Sequence, residues 1–283
     1  MRTLQEGRSP ELSQELLRGA IDIHVHPGPH LQSSPRRMDP IQAAIASRDA
    51  GMRAIVLKDV FEMSNGISWL VNRHVSQFTV YGGLILNTVY GGMNPRAFKT
   101  AIYYGDGAKY LDFGAHSTYY QAAKEGRVID GKFVALSETY PKFKTEELDR
   151  CIRIPLEEKP GPELDEMLTL LAAKPDIYLD TGHVSAEEAV RLVDLAEVYG
   201  YKRMVVSSSV TKIATLEQLR YVAQKSAFVE FSLAAYTAPQ MIPLTHYYVE
   251  KEYASIDAGM TGTPGKGIRD VADQISAVGP EHC

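Results

Sequence analysis

The chain has 283 residues, 45% of them hydrophobic and 23% charged, with a formal net charge of −5 and no long basic run. That length suits one large α/β domain or two smaller ones, and the charge argues against nucleic acid or an anionic membrane as a partner. No apolar stretch approaches the roughly 20 residues that span a bilayer, Met1–Pro10 lacks the apolar core of a signal peptide, and Cys151 and Cys283 make no disulfide framework, so a cytoplasmic protein is expected.

Glu11–Arg18 reads as a short leading helix. Ile21–His26 then reads as a first strand, ended by Pro27-Gly28-Pro29. Strand alternation places Asp22, His24 and His26 on one face and Ile21, Ile23 and Val25 on the other. Two imidazoles on one strand face, roughly 6–7 Å apart along the backbone, can converge on one metal ion. A polar D-x-H-x-H face is also costly to bury without a metal or full hydrogen bonding.

Pro40–Ala50 follows as a helix with Asp39 as N-cap, and Ala54–Lys58 as a second strand. Ser64–Val75 is helical, Thr79–Leu86 a third strand interrupted at Gly82-Gly83, Asn94–Tyr104 a helix opened by Asn-Pro, and Lys109–Phe113 a fourth strand. The rhythm breaks over about 117–160, where two apolar runs flank Asp130-Gly131 as a hairpin, an excursion from the main pattern and not a domain. Gly161–Ala173 is again helical, Asp176–Asp180 a fifth strand, and Ser185–Tyr199 a helix with a Ser-x-x-Glu capping box. Arg203–Ser207 and Phe228–Ser232 are the sixth and seventh strands around the helix Thr215–Lys225. A loop to Gly262, carrying Tyr236, Tyr247 and Tyr248, and a helix Ile268–Val278 close the reading.

This alternation favours a parallel sheet, and seven strands over this length favour a single (β/α)8 barrel domain over 1–283. An eighth strand would begin at Gly279–Cys283, so it is expected to be missing or irregularly supplied, leaving two strand edges open. In such barrels chemistry sits at the C-terminal strand ends. Those positions hold His24 and His26, Lys58, Asn87, His116, Asp180 and His183, Ser207, and Glu230. Lys58 is open to several readings: a carbamylated metal bridge, a Schiff-base amine, a cation for a substrate carboxylate, or a rim lysine reaching solvent.

I-D-I-H-V-H-P-G at the first strand end resembles the amidohydrolase superfamily of metal-dependent barrels. Gly51–Lys58, Gly82–Pro95 and Thr181–Ala189 further resemble a branch of predicted metal-dependent hydrolases. The resemblance implies a divalent metal (Zn, Fe or Mn, one or two ions) on His24, His26 and His183, with Lys58 bridging a pair, and a small-molecule substrate. It implies attack of an activated water on an amide, ester, thioester or lactone carbonyl. The eighth-strand aspartate, the usual general base, would lie beyond Cys283, Asp180 and Glu230 are weak stand-ins for it, and Asp22, Asn87, His116 and Ser207 are candidate substrate contacts or ligand supports. The chain departs from the superfamily at the sixth strand, where Ser207–Ser209 replace a histidine, and Val60 stands where the narrower branch often has another. The alternatives are a decarboxylase or lyase using Lys58 on a substrate carboxylate, and a catalytically degraded barrel acting as a binding subunit. A homo-oligomer is compatible with a barrel of this size.

Overall fold

The computed structural model describes residues 15, 17–29, 36, 38–124, 126–130, 132–140, 142–157 and 159–231. Its strands are β1 (Ile21–Val25), β2 (Ala54–Leu57), β3 (Thr79–Tyr81), β4 (Gly83–Ile85), β5 (Tyr110–Asp112), β6 (Gly126–Ile129), β7 (Lys132–Ala135), β8 (Tyr178–Asp180), β9 (Met204–Val206) and β10 (Phe228–Val229). Its main helices are α1 (Pro40–Asp49), α2 (Asn65–His74) and α3 (Pro95–Tyr103), then three one-turn helices α4 (Tyr119–Ala122), α5 (Leu136–Thr139) and α6 (Phe143–Glu146). The last four are α7 (Pro162–Ala172), α8 (Ala186–Val198), the single turn α9 (Ser208–Thr211) and α10 (Leu216–Gln224). Most of the leading helix, His30 and everything after residue 231, including the three loop tyrosines, the last helix and any eighth strand, lie outside the described residues.

Local chemistry accounts for the helix starts. Asp39 accepts from the Gln42 amide while the Gln42 side chain accepts from the Asp39 amide, and Ser185 with Glu188 and Thr215 with Gln218 repeat this reciprocal cap. Asn94 caps α3 ahead of Pro95. The expected hairpin forms as β6 paired antiparallel with β7, turning through Asp130 at φ 51°. The one-turn helices around it were not legible in the sequence.

All other pairings are parallel. One sheet runs β1-β2-β3 and a second runs β10-β9-β8-β5-β4. Only Gly82 separates β3 from β4, so the third strand serves both sheets in turn. A Cβ at Gly82 would lie 2.6 Å from the Ser64 carbonyl oxygen, a contact that only glycine permits.

Residue alternation gives the sheets two faces. Leu84, Leu111, Leu179, Met204, Val206 and Val229 pack under α3, α7, α8 and α10 in the largest core, while Ile55, Leu57 and Val80 pack under α1 and α2. The opposite face carries a smaller cluster of Val56, Ile85 and Tyr110 with Ile23 and Tyr178 packed on it. Members of both sheets meet there, so the sheets curve round a shared interior. The Tyr178 hydroxyl donates to the Ile23 carbonyl across it at 3.3 Å.

One expectation is corrected at β1. Its register against β2 shifts between Asp22 and Val25. Ile23 therefore packs into the interior cluster while Val25 packs against the α1/α2 core, and the three apolar residues do not share one face. An extra residue in a strand re-aims the side chains that follow, and bulges of this kind recur beside functional sites. Among the described residues, no helix is long and apolar enough to cross a membrane.

Candidate functional site

The centre of the interior face is an ion triad. Lys58 follows β2 and is almost fully buried. Its ammonium contacts Asp112 Oδ2 at 3.2 Å and bonds the Asp180 carboxylate. The two aspartates end β5 and β8 in matching turns, Tyr110-Leu111-Asp112-Phe113-Gly114 and Tyr178-Leu179-Asp180-Thr181-Gly182. The strands pair Tyr110 with Tyr178 and Asp112 with Asp180. Each aspartate's Oδ1 accepts from the glycine amide two residues on, at 2.9 Å and 3.0 Å. The turns press together: a Cβ on Gly182, which has φ +62°, would sit 2.5 Å from Asp112 Oδ1 and from the Gly114 carbonyl.

Burial alone would depress the Lys58 ammonium, but Asp180, then Asp112 and Glu230, hold it well above the ordinary lysine value. Burial pushes Asp112 up to about 7, with Asp180 adding to the rise and Lys58 opposing it. The structure thus makes Lys58 a buried cation between two carboxylates.

Above this triad lie the strand-end histidines. His24 and His26 meet edge to face with ring centroids 4.7 Å apart. His24 Nδ1 lies 2.7 Å from Glu230 Oε1, while Glu230 Oε2 accepts from the Ser208 amide at 2.8 Å. Burial would raise the Glu230 carboxyl, but the His24 hydrogen bond and charge, with Lys58 and the Ser208 amide, hold it below the usual range. His26 Nδ1 donates to the Lys58 carbonyl at 2.6 Å. Loss of water, and then His24, keep His26 well below the usual imidazole value and hence neutral.

His183 follows β8. Burial first, then the charges of His116 and Lys212 and more weakly His24, push it down to about 3. Its Nδ1 faces Gln121 Oε1 at 3.3 Å. His116 is half-buried at the end of the β5 turn. Other expected site residues have different work. Asp22 accepts from the His24 backbone amide at 2.9 Å and is exposed, so Glu230 and not Asp22 orients the His24 ring. Buried Asn87 ties the Val60 carbonyl to the Ala115 amide. Ser207 Oγ accepts from the Ser209 hydroxyl at 3.0 Å, inside the turn that starts α9.

Two site residues were missed by sequence reasoning. Asp112 announces itself by the Y-L-D-x-G repeat, whose second copy carries Asp180. Gln121 has no such signal, because it lies on the excursion and meets His183 only through the fold.

The sequence pattern of one protein family matches residues 19–230, a span that runs from just before β1 to Glu230. The chain belongs to that family. It is DUF6282, a family of unknown function. No curated protein matches the chain.

The donor chemistry suits a divalent ion. With a carbonyl or carboxylate oxygen on Nδ1, His26 and His24 can each present Nε2 as the ligand atom, the usual arrangement of metal-binding imidazoles. Among the described residues, no three His, Cys, Asp or Glu side chains already form a group able to hold a metal. The structure therefore draws His24 and His26 together, and does not gather His183 with them into a finished three-imidazole cage.

Proposed function

We propose that this DUF6282 member is a metal-dependent hydrolase acting on a small carbonyl substrate at the strand ends of a (β/α)8-like barrel. The observation that carries the reading is the imidazole pair His24 and His26, each with its Nδ1 engaged by an oxygen of the chain and Nε2 left as donor. His183 is the third ligand in this reading. The order β1-β2-β3, then β4-β5-β8-β9-β10, supplies seven strands of the barrel, with Glu230 reaching His24 across the remaining gap.

A divalent ion there would supply Lewis acidity and bring the pKa of water toward neutrality. The protein's own groups do the rest. Glu230 and the Lys58 carbonyl orient the first-strand imidazoles. Lys58 ties the ends of β2, β5 and β8 together as a cation, an arrangement that favours one metal ion over a lysine-bridged pair. Asp112, raised to about 7 by burial beside Asp180, is the carboxyl placed to exchange a proton near neutral pH.

A decarboxylase using Lys58 on a substrate carboxylate is disfavoured by the burial of that ammonium between two aspartates. The degraded-barrel reading draws support from Ser207–Ser209 in place of a histidine and from the unassembled cage. Elemental analysis of the protein beside His24→Ala/His26→Ala, followed by an ester, lactone and amide hydrolysis panel, separates the two. About one equivalent of metal, lost in the double variant together with turnover, is the expected result. A folded protein that takes up no divalent ion after supplementation would overturn the hydrolase reading in favour of the binding subunit.

A further inference from the structure

His183 is held at three points by the segment that follows β5. Its backbone amide donates to the Gly114 carbonyl at 2.9 Å. Its carbonyl accepts from the Thr118 hydroxyl at 2.6 Å. Its ring meets Gln121 Oε1. The first two contacts fix the backbone on both sides of the side chain, so the remaining freedom is rotation of the imidazole and the choice of which nitrogen carries the proton.

Gln121 is well placed to make that choice. It is 4% exposed, in the single turn α4, and its amide donates to the same Thr118 hydroxyl, at 3.2 Å, that donates to His183. Thr118 itself is fully buried and bridges in parallel to Ile152, with the Ile152 amide donating to the Ser117 carbonyl and the Tyr119 amide to the Ile152 carbonyl. The turn that carries the glutamine is therefore anchored at its N-terminal end. A side-chain amide oxygen only accepts, so with Oε1 turned to the ring the His183 nitrogen facing it is the N–H.

We propose that Gln121 is a positioning residue that holds His183 in the Nδ1–H tautomer and so leaves Nε2 unprotonated as a donor. The inference rests on the proposed metal-dependent reading for its purpose, though not for its geometry. The excursion over residues 117–160, an interruption of the strand-helix rhythm, then has a function: its first turn sets the chemistry of a histidine 62 residues further along.

Two measurements on the wild type, Gln121→Leu and Gln121→Glu test this. Long-range ¹H–¹⁵N spectra read the His183 tautomer with no metal present. Nδ1–H is expected in wild type and in Gln121→Glu, which keeps an acceptor, and a shift toward Nε2–H in Gln121→Leu. Co²⁺ titration against a competing chelator then reads affinity. Gln121→Leu is expected to weaken it about 10–100-fold, and Gln121→Glu to stay within a few-fold of wild type. If Gln121→Leu unfolds, the tautomer in wild type and Gln121→Glu still decides. Nε2–H in wild type, or an unchanged Nδ1–H in folded Gln121→Leu, overturns the inference. Co²⁺ failing to bind wild type while the tautomers behave as expected overturns the metal reading instead.

Discussion

The β5/β8 centre and the β1/β10 edge solve the same problem, a set of ionisable side chains on a sheet's inner face, in opposite ways. At the centre every polar atom has a partner from the chain. Lys58 lies between Asp112 and Asp180, and the second oxygen of each aspartate takes a backbone amide. Both strands there have neighbours on each side. At the edge, β1 and β10 each lack a paired strand on one side among the described residues, and a cavity of about 460 Å³ opens between them. Ile23, Tyr178, Phe228 and Val229 line it, Phe228 is half exposed, and the His24–Glu230 and Tyr178–Ile23 contacts reach across. The centre is organised to hold geometry, whereas the edge keeps imidazoles accessible. Stability and function should therefore separate between the two.

Lys58→Met is expected to have the largest effect, because it leaves two buried carboxylates without a cation. A loss of about 3–5 kcal/mol in denaturant-unfolding stability is expected, and Lys58→Met/Asp112→Asn/Asp180→Asn should recover much of it. Asp112 comes next, through pH. Its pKa rises from 3.8 unfolded to about 7 folded, so the folded state holds a proton that the unfolded state releases across that window. Wild-type stability should fall as pH rises from about 4 to about 7, with a slope of up to about 1.4 kcal/mol per pH unit. Asp112→Asn should flatten that slope in pH-dependent melts.

Gly182→Ala would push a methyl into Asp112 and the Gly114 carbonyl at a positive φ, and is expected to cost about 2 kcal/mol by thermal unfolding. At the edge the numbers shrink. Glu230→Gln keeps the shape and one acceptor, so a loss of about 1 kcal/mol is expected at neutral pH. Because the Glu230 carboxyl is held below 4.5, its stabilisation is lost as pH falls through the acid range, and the variant should lack that acid-side decline. A Glu230→Gln cost equal to that of Lys58→Met would erase the distinction between the regions.

Much of the frame was readable without coordinates. Capping boxes at Asp39, Ser185 and Thr215, the Asn-Pro start at Asn94 and the Asp130 turn are local signals, set by hydrogen bonds within four residues. Repeated strand–helix alternation placed the strands, while the one face assigned from alternation, Ile21, Ile23 and Val25, did not hold. The strand-end rule found His24, His26, Lys58, Asp180, His183 and Glu230. It did not show what each side chain touches.

Partner choice depends on residues far apart in the chain. Lys58 reads in the sequence as a metal bridge, a Schiff-base amine, a cation for a substrate carboxylate or a rim cation, and nothing local shows that Asp112 and Asp180, 54 and 122 residues away, close on it. Glu230 reads as a weak base until it is found on His24, and Asp22 as its support until that carboxylate is found on a backbone amide. The β1 bulge, which breaks the expected alternation, arises from register against β2 and leaves no mark in I-D-I-H-V-H. The sequence by itself determined the α/β alternation, the caps and which polar side chains stand at strand ends, because those follow from short-range periodicity and steric preference. Only the tertiary structure decided which charges pair and which imidazole nitrogen is already engaged, because the energy of a buried charge is set by neighbours that the chain brings in from elsewhere.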